Sequence, residues 1–285
     1  PDTTVGLAYV EGLVDGRTFA ERLRAVTERL PVVLVKGGAT AGGQRAAASH
    51  TGALASDDRV FDGVCRQAGA VRAGSIEEAF EVAATFATQP RPPGNRVAIL
   101  TTAGGWGVVT ADAVHRSSLE LLPLPDSLRT AIDAHLPPRW SRNNPIDFAG
   151  AETRDTIPDV LDLVVDHPEV DAVLMLGLGI QSNQARLMRN GPFHPDHGLE
   201  RIVTYHERQD ARFARAAADA SARTGKPVLV ATELGIADPD NAGPRTVRET
   251  GRLCYLSADR AVRSLAHLWD DTRHRQRRIG AVDPA

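Results

Sequence analysis

Short apolar runs alternate along this chain with stretches in which apolar residues recur every three to four positions. The first pattern predicts strands buried on both faces, and the second predicts helices with one apolar face. Thr4–Val10 reads as a strand, Arg17–Leu30 as a helix and Pro31–Val35 as a strand. The Gly/Ala/Ser-rich stretch Gly37–Thr51 reads as a loop. A helix is expected over Arg59–Ala68, a short strand near Val71, and a helix from Ile76 to about Thr88. Ser75 is a natural N-cap for that last helix, with Glu78 three residues on completing a capping-box pattern. The run Gln89-Pro90-Arg91-Pro92-Pro93-Gly94-Asn95 cannot continue a helix, because proline lacks the donor and clashes with the preceding turn. A domain boundary is expected there, between residues 1–90 and 95–285.

The second part repeats the pattern. Val97–Thr102 is strand-like with a glycine loop directly after it, and Val108–Arg116 is helical. Val160–Val165 belongs to a helix, Ala172–Leu176 to a strand, Ala211–Thr224 to a helix and Pro227–Ala231 to a strand. Ala258–Asp271 is the last predicted helix. The basic run Arg273–Arg278 reads as the start of a solvated linker. Strands alternating with helices imply an α/β fold of parallel sheets with helices on both faces. Ligands then belong at the carboxyl ends of the strands.

Composition narrows the classes. The chain has 285 residues, 42% hydrophobic and 24% charged, with a net charge of −3. That balance carries no nucleic-acid or membrane footprint. The basic residues are nearly all arginine; Lys36 and Lys226 are the only lysines. Cys65 and Cys254 lie far apart without metal-type spacing, as expected of reduced cysteines in a cytoplasmic protein. The chain starts at Pro1, without Met, just ahead of a strand-like run, and reads as a fragment.

Several segments carry candidate chemistry. In Ala48-Ser49-His50-Thr51-Gly52-Ala53 a histidine sits among small residues that cannot cover it. Imidazole can act as a nucleophile toward phosphorus and hold the phosphoryl group as an N–P adduct; a plain surface histidine is the alternative. Glu11 stands at the carboxyl end of the first strand, where a carboxylate can fix the tautomer of an imidazole and stabilise the charged adduct; taken alone, a solvated glutamate before a turn is the alternative. In Thr101-Thr102-Ala103-Gly104-Gly105-Trp106-Gly107 the glycines would let backbone N–H groups approach an anion; a tight strand-to-helix turn with no ligand is an equal alternative. The spacing is neither a dinucleotide fingerprint nor a P-loop. Gly177 and Gly179 invite the same reading more weakly. Pro145 restricts Asn144 to an extended conformation, and Asp147 is a candidate brace for the glycine loop; a structural turn and a site role are equal readings of this segment. His194 and His197, with His206, have no acid at a spacing that completes a metal site, so that stretch reads as a loop or pocket lid.

Taken together, five segments resemble the NDP-forming acyl-CoA synthetases, relatives of succinyl-CoA synthetase. They are Tyr9–Phe19, Gly37–Ala55, Phe61–Gly69, Asn95–Gly105 and Asn144–Asp147, in the family's order. The resemblance implies two flavodoxin-like doubly wound parallel-sheet domains, the first incomplete at its N-terminus. It implies that His50 is the phosphorylated histidine and Glu11 the glutamate that stabilises it. Thr102, Ala103, Gly104, Gly105 and Gly107 match the element that meets the phosphate. Ser49, Thr51, Gly52, Asn144, Asp147, Gly177 and Gly179 are expected in support. Trp106 departs from the proline usual in the family, and the stretch from Gly177 to His206 looks longer and more polar than in many relatives, fit to shape an acyl pocket.

The implied reaction interconverts acyl-CoA, NDP and phosphate with acid, CoA and NTP. Coenzyme A and ATP or ADP with Mg would be bound mainly by CoA-binding and ATP-grasp modules, in cis or on a partner subunit of a homo- or hetero-oligomer. On this reading the chain by itself does not turn over. The alternatives are a regulatory module that senses CoA or acyl-CoA in an acetyltransferase fusion, and a scaffold binding a phosphorylated small molecule.

Overall fold

The computed structural model describes residues 2–51, 57–148, 150 and 155–282, without the side chains of Ala48, His50, Thr51 and 279–282. The chain divides into two compact units: Pro1–Ala87 with Asp270–Ala285, and Thr88–Trp269. The stretch from residue 270 onward thus counts with the first unit, against the expectation that it belongs to the second.

Unit 1 contains β1 (Gly6–Val10), α1 (Gly16–Thr27), β2 (Val32–Lys36), α2 (Ala41–Thr51), α3 (Asp58–Ala68), β3 (Val71–Ala73) and α4 (Ile76–Thr88). Its strands are parallel in the order β1-β2-β3, with Gly6 to Val10 opposite Val32 to Lys36. Strand period puts Val32 and Leu34 on one face, against Leu23, Phe61, Cys65 and Ala68 of α1 and α3. Val33 faces the other way, with Ala79, Val82 and Ala83 of α4. β2 is therefore covered on both sides, which is why it reads as an unbroken apolar run. β1 lies at the sheet edge, and Leu7 and Tyr9 are exposed there. Ser75 Oγ accepts from Glu78 N at 3.1 Å, as the N-cap reading requires. The Glu78 carboxylate accepts from Gly74 N at 3.1 Å.

Two expectations fail in unit 1. The first is the loop at 37–51, of which Ala41–Thr51 is helix. Thr40 Oγ1 accepts from Gly43 N at 3.1 Å and Thr40 O from Gln44 N at 2.8 Å, so Thr40 starts the helix. The alanines at 46–48 then favour helix enough to outweigh Gly42 and Gly43. The second is the solvated basic linker, which is instead the last turns of a helix that ends at Val282. Arg275 donates to Thr27 O at 3.0 Å and to Glu28 O at 3.2 Å, and Arg278 pairs with Glu28. These are the orphan carbonyls at the end of α1, and arginine is suited to them by donors and charge.

Unit 2 contains β4 (Arg96–Thr101), α5 (Gly104–His115), β5 (Glu120–Leu121), α6 (Asp126–Asp133), β6 (Ile146–Asp147), α7 (Thr156–Asp166), β7 (Ala172–Leu176), α8 (Ile180–Arg189), α9 (Leu199–Thr224), β8 (Val228–Ala231), α10 (Leu234–Ala237), α11 (Ala242–Glu249), β9 (Cys254–Tyr255) and the start of α12 (Ala258–Val282). The sheet is parallel in the order β5-β4-β7-β8-β9, with β6 also on β4. β5 pairs with Arg96 and Val97, and β6 with Leu100 and Thr101, so the two share one flank of β4. Counted as one position they make the order 2-1-3-4-5 of the flavodoxin type. Ala98, Leu100, Val173, Met175, Val228 and Val230 pack on α7 and α9 through Leu161, Val164, Phe213 and Ala217.

Between β5 and β6 the ladder is completed by a side chain. Asn144 Oδ1 accepts from Ile99 N at 2.9 Å, and Nδ2 donates to Val97 O at 2.8 Å and Leu122 O at 3.0 Å. Buried in the sheet, Asn144 stands in for the peptide group that the broken strand lacks. These bonds support the structural reading of this turn, which the sequence left open beside a site role.

Candidate functional site

In unit 1 the carboxyl ends of β1 and β2 carry the polar groups. Glu11 follows β1, and its Oε1 accepts from Tyr9 Oη at 3.1 Å. The Tyr9 hydroxyl is held above its ordinary value of 10.0, first by that hydrogen bond and also by burial and the carboxylate's charge. Lys36 ends β2 with its side chain fully buried. Its Nζ lies 3.6 Å from Asp58 Oδ1, 3.5 Å from Gly38 O and 5.8 Å from the Phe61 ring centroid. Arg72 reaches the same Asp58 Oδ1 at 2.6 Å. Its hydrogen bond, then its charge and that of Lys36, hold Asp58 below the usual carboxyl value of 3.8. Composition alone gave no role to Lys36, although a lone lysine closing an apolar strand ahead of two glycines was a readable signal.

The backbone of His50 lies in the last turn of α2, one element after β2. Its side chain and that of Thr51 lie outside the described residues, as does Gly52. Ser49 Oγ donates to Arg45 O at 3.0 Å within the helix, so here it serves α2 itself.

In unit 2 the glycine loop after β4 is mostly helix: α5 begins at Gly104, with Ala103 as an extended N-cap that offers no side-chain acceptor. Gly105 and Gly107 therefore lie in the first turn. Thr101 Oγ1 donates to Ala103 O at 2.8 Å and accepts from Ala103 N at 3.1 Å, fixing the approach. A Cβ on Gly104 would stand 2.6 Å from Asp147 Oδ2, so the carboxylate at the end of β6 lies against the start of α5, as the bracing reading expects. A positive helix terminus favours that charge.

Thr102 Oγ1 donates to Gly177 O at 3.3 Å, across the ends of β4 and β7, where the strand order reverses. A cavity of ≈ 360 Å³ opens there. Met175, Leu178 and Phe213 supply apolar walls, and Thr102, Gln181 and His206 supply polar groups. His206 Nδ1 lies 3.2 Å from Gln181 Oε1. A doubly wound sheet places its ligands in this crevice. Sequence reading named neither Gln181 nor Asp210, because α8 and α9 bring them to it from separate stretches of chain.

At Gly177 and Gly179, where the sequence invited a phosphate reading only weakly, a carboxylate already meets the start of α8. Asp210, buried, accepts from Gly179 N at 3.1 Å and Ser182 N at 2.6 Å, and so takes the donors at the start of α8. The glycines are needed for backbone: φ is +83° at Gly177, where a Cβ would lie 2.1 Å from Thr102 Oγ1, and +97° at Gly179. His194 pairs with Glu200 at 2.7 Å and His197 stacks edge-on to Phe193. No group of three metal-ligating side chains occurs among the described residues.

Comparison with known proteins places both units. Residues 1–86 match the succinyl-CoA ligase like flavodoxin domain, and residues 97–181 the ligase-CoA domain. The chain is 38% identical over 168 residues to the alpha subunit of acetate–CoA ligase [ADP-forming] II from Pyrococcus furiosus, covering 59% of this chain and 36% of that protein. It is 35% identical over 176 residues to 4-hydroxybutyrate–CoA ligase [ADP-forming] from Nitrosopumilus maritimus, covering 61% and 25%. Among solved structures it superimposes on a dinucleotide-forming acetyl-coenzyme A synthetase 1 of Candidatus Korarchaeum cryptofilum, in complex with phosphate and ADP. The TM-score is 0.77 at 26% identity, over 100% of this chain and 56% of that one. The chain thus spans only part of each relative.

Proposed function

Because this chain belongs to the NDP-forming acyl-CoA synthetases, relatives of succinyl-CoA synthetase, we propose that it is the phosphohistidine-bearing part of an ADP-forming acid–CoA ligase. The observation that carries this reading is the placing of two groups in unit 1. Glu11 and the helix that bears His50 follow the carboxyl ends of β1 and β2, adjacent parallel strands. Open α/β sheets use that edge for chemistry.

In the thioester-cleaving direction, phosphate attacks the acyl-CoA carbonyl and CoA leaves as the thiol, giving an acyl phosphate. A His50 ring nitrogen then attacks phosphorus, and the acid departs as its carboxylate. Glu11 accepts the hydrogen bond of the other ring nitrogen and stabilises the phosphorylated imidazolium. The phosphoryl group passes from His50 to ADP. Thr102–Gly107 is read as a phosphate-facing element of unit 2, where N–H groups of the first turn of α5 offset developing charge. The cavity beside Thr102 suits the body of a small acid. Coenzyme A, ADP and any Mg²⁺ are assigned to CoA-binding and ATP-grasp modules supplied in cis or by a partner subunit. The relatives are named as ligases, which lends the sensor reading no support.

The test is covalent labelling of the complete ligase with terminally labelled ATP. Acid-labile, base-stable label on the wild type, absent from His50→Ala, is the expected result. A wild type that takes no label would overturn the reading. Loss of Glu11 should raise the transfer barrier by roughly 2–4 kcal/mol, in line with other preorganised groups.

A further inference from the structure

The Tyr9–Glu11 hydrogen bond is built in from two directions. Strand period sets Tyr9 and Glu11 on the same side of the chain at the end of β1. Gly37, directly after β2, is pinned beside them, since its N–H donates to Val10 O at 2.9 Å. A Cβ on Gly37 would lie 2.4 Å from Tyr9 Oη and 3.3 Å from Glu11 Cγ. The bare glycine is therefore the floor on which the phenol and the glutamate rest. Tyr9 leaves 58% of its surface exposed, so it is not held there by core packing.

We propose that Tyr9 is a positioning residue, whose hydroxyl orients the Glu11 carboxylate for its work on the phosphorylated histidine. The proposal rests on the reading of Glu11 as the partner of His50. A glutamate side chain has three rotatable bonds, and on a strand end nothing in its own backbone selects among their settings. A hydrogen bond at Oε1 restricts the rotation of the carboxylate and so narrows the directions in which its other oxygen can accept. The hydroxyl stays a donor across the working pH range, because the neighbouring carboxylate favours its protonated form.

The experiment is a double-mutant cycle on the complete ligase, reading kcat, KM and the rate of phosphoenzyme formation. Tyr9→Phe is expected to lower kcat and phosphoenzyme formation about 10-fold, the size of one hydrogen bond to a charged group. KM for CoA and for the acid should stay within about twofold, and the thermal midpoint should not move. In a Glu11→Gln background the same substitution should add less than about twofold, because it acts through Glu11. Gly37→Ala displaces the phenol and should reproduce Tyr9→Phe without adding to it. Full activity in Tyr9→Phe would overturn the proposal, and so would an equal loss in both backgrounds. If Glu11→Gln alone labels at the wild-type rate, the Glu11 reading fails and Tyr9 with it. If Glu11→Gln is slow and Tyr9→Phe is not, only the Tyr9 assignment fails.

Discussion

Single side chains in this protein are decided by what surrounds them. Cys65 and Cys254 are both buried, and burial pushes the first thiol up to about 11 and the second to about 12. At about pH 8 the thiolate fraction of either is about a thousandth or less, and the thiolate is the reactive form. A disulfide exchange reagent should therefore modify neither cysteine in the native protein and both in denaturant; rapid stoichiometric release from the native protein would contradict this. Lack of metal spacing already argued against a metal site at these cysteines, but inertness follows from burial, which no spacing reveals. Lys36 shows the same limit. Its place after an apolar strand was visible, yet its setting needs Asp58, Arg72 and Phe61, which arrive from α3 and β3.

Elements were legible where apolar periodicity was strong. Ala172–Leu176 appears with the predicted bounds, and Ile76–Thr88 likewise. Reading failed where glycine and alanine mixed, as in α2, because glycine was weighed by type and not by its place in the first turns. It failed too at β5 and β6, each two residues long, which no period can announce. What holds that flank together is Asn144. Asn144→Ala would strand Ile99 N–H and Leu122 C=O inside the sheet, at a cost of about 2–4 kcal/mol. Urea unfolding of the variant should show that loss in its midpoint with little change of slope; a midpoint equal to the wild type would refute the ladder role.

At the scale of the whole molecule, stability should depend on pH through Asp210. Burial raises this carboxyl above its ordinary 3.8, against the pull of the Ser182 and Gly179 N–H groups. A folded-state value above the unfolded one means the native state holds the extra proton in the window between them. Stability then falls as pH rises through that window and is level above it. Comparing wild type with Asp210→Asn from about pH 4 to about pH 8, the wild type should lose ground to the variant as pH rises and then run parallel to it. A difference independent of pH would show that the carboxyl is not shifted. Among the described residues no helix is long and apolar enough to cross a membrane.

By itself the sequence determined the alternation of strands and helices, and hence parallel sheets whose carboxyl ends are where ligands are expected. It also offered Glu11 and His50 as candidates, which the family resemblance, more than local order, set above plain surface groups. Local period and short motifs carry that much because they depend on neighbours in the chain. Only the tertiary structure decided that Asp210 caps α8, beside the glycines that weakly invited a phosphate reading. It alone showed that Asn144 mends a broken strand, that Arg275 closes the end of α1, and that Gly37 makes room for Tyr9 to hold Glu11. Each joins residues far apart in the chain, and a buried donor or acceptor takes whichever partner the packing brings within reach.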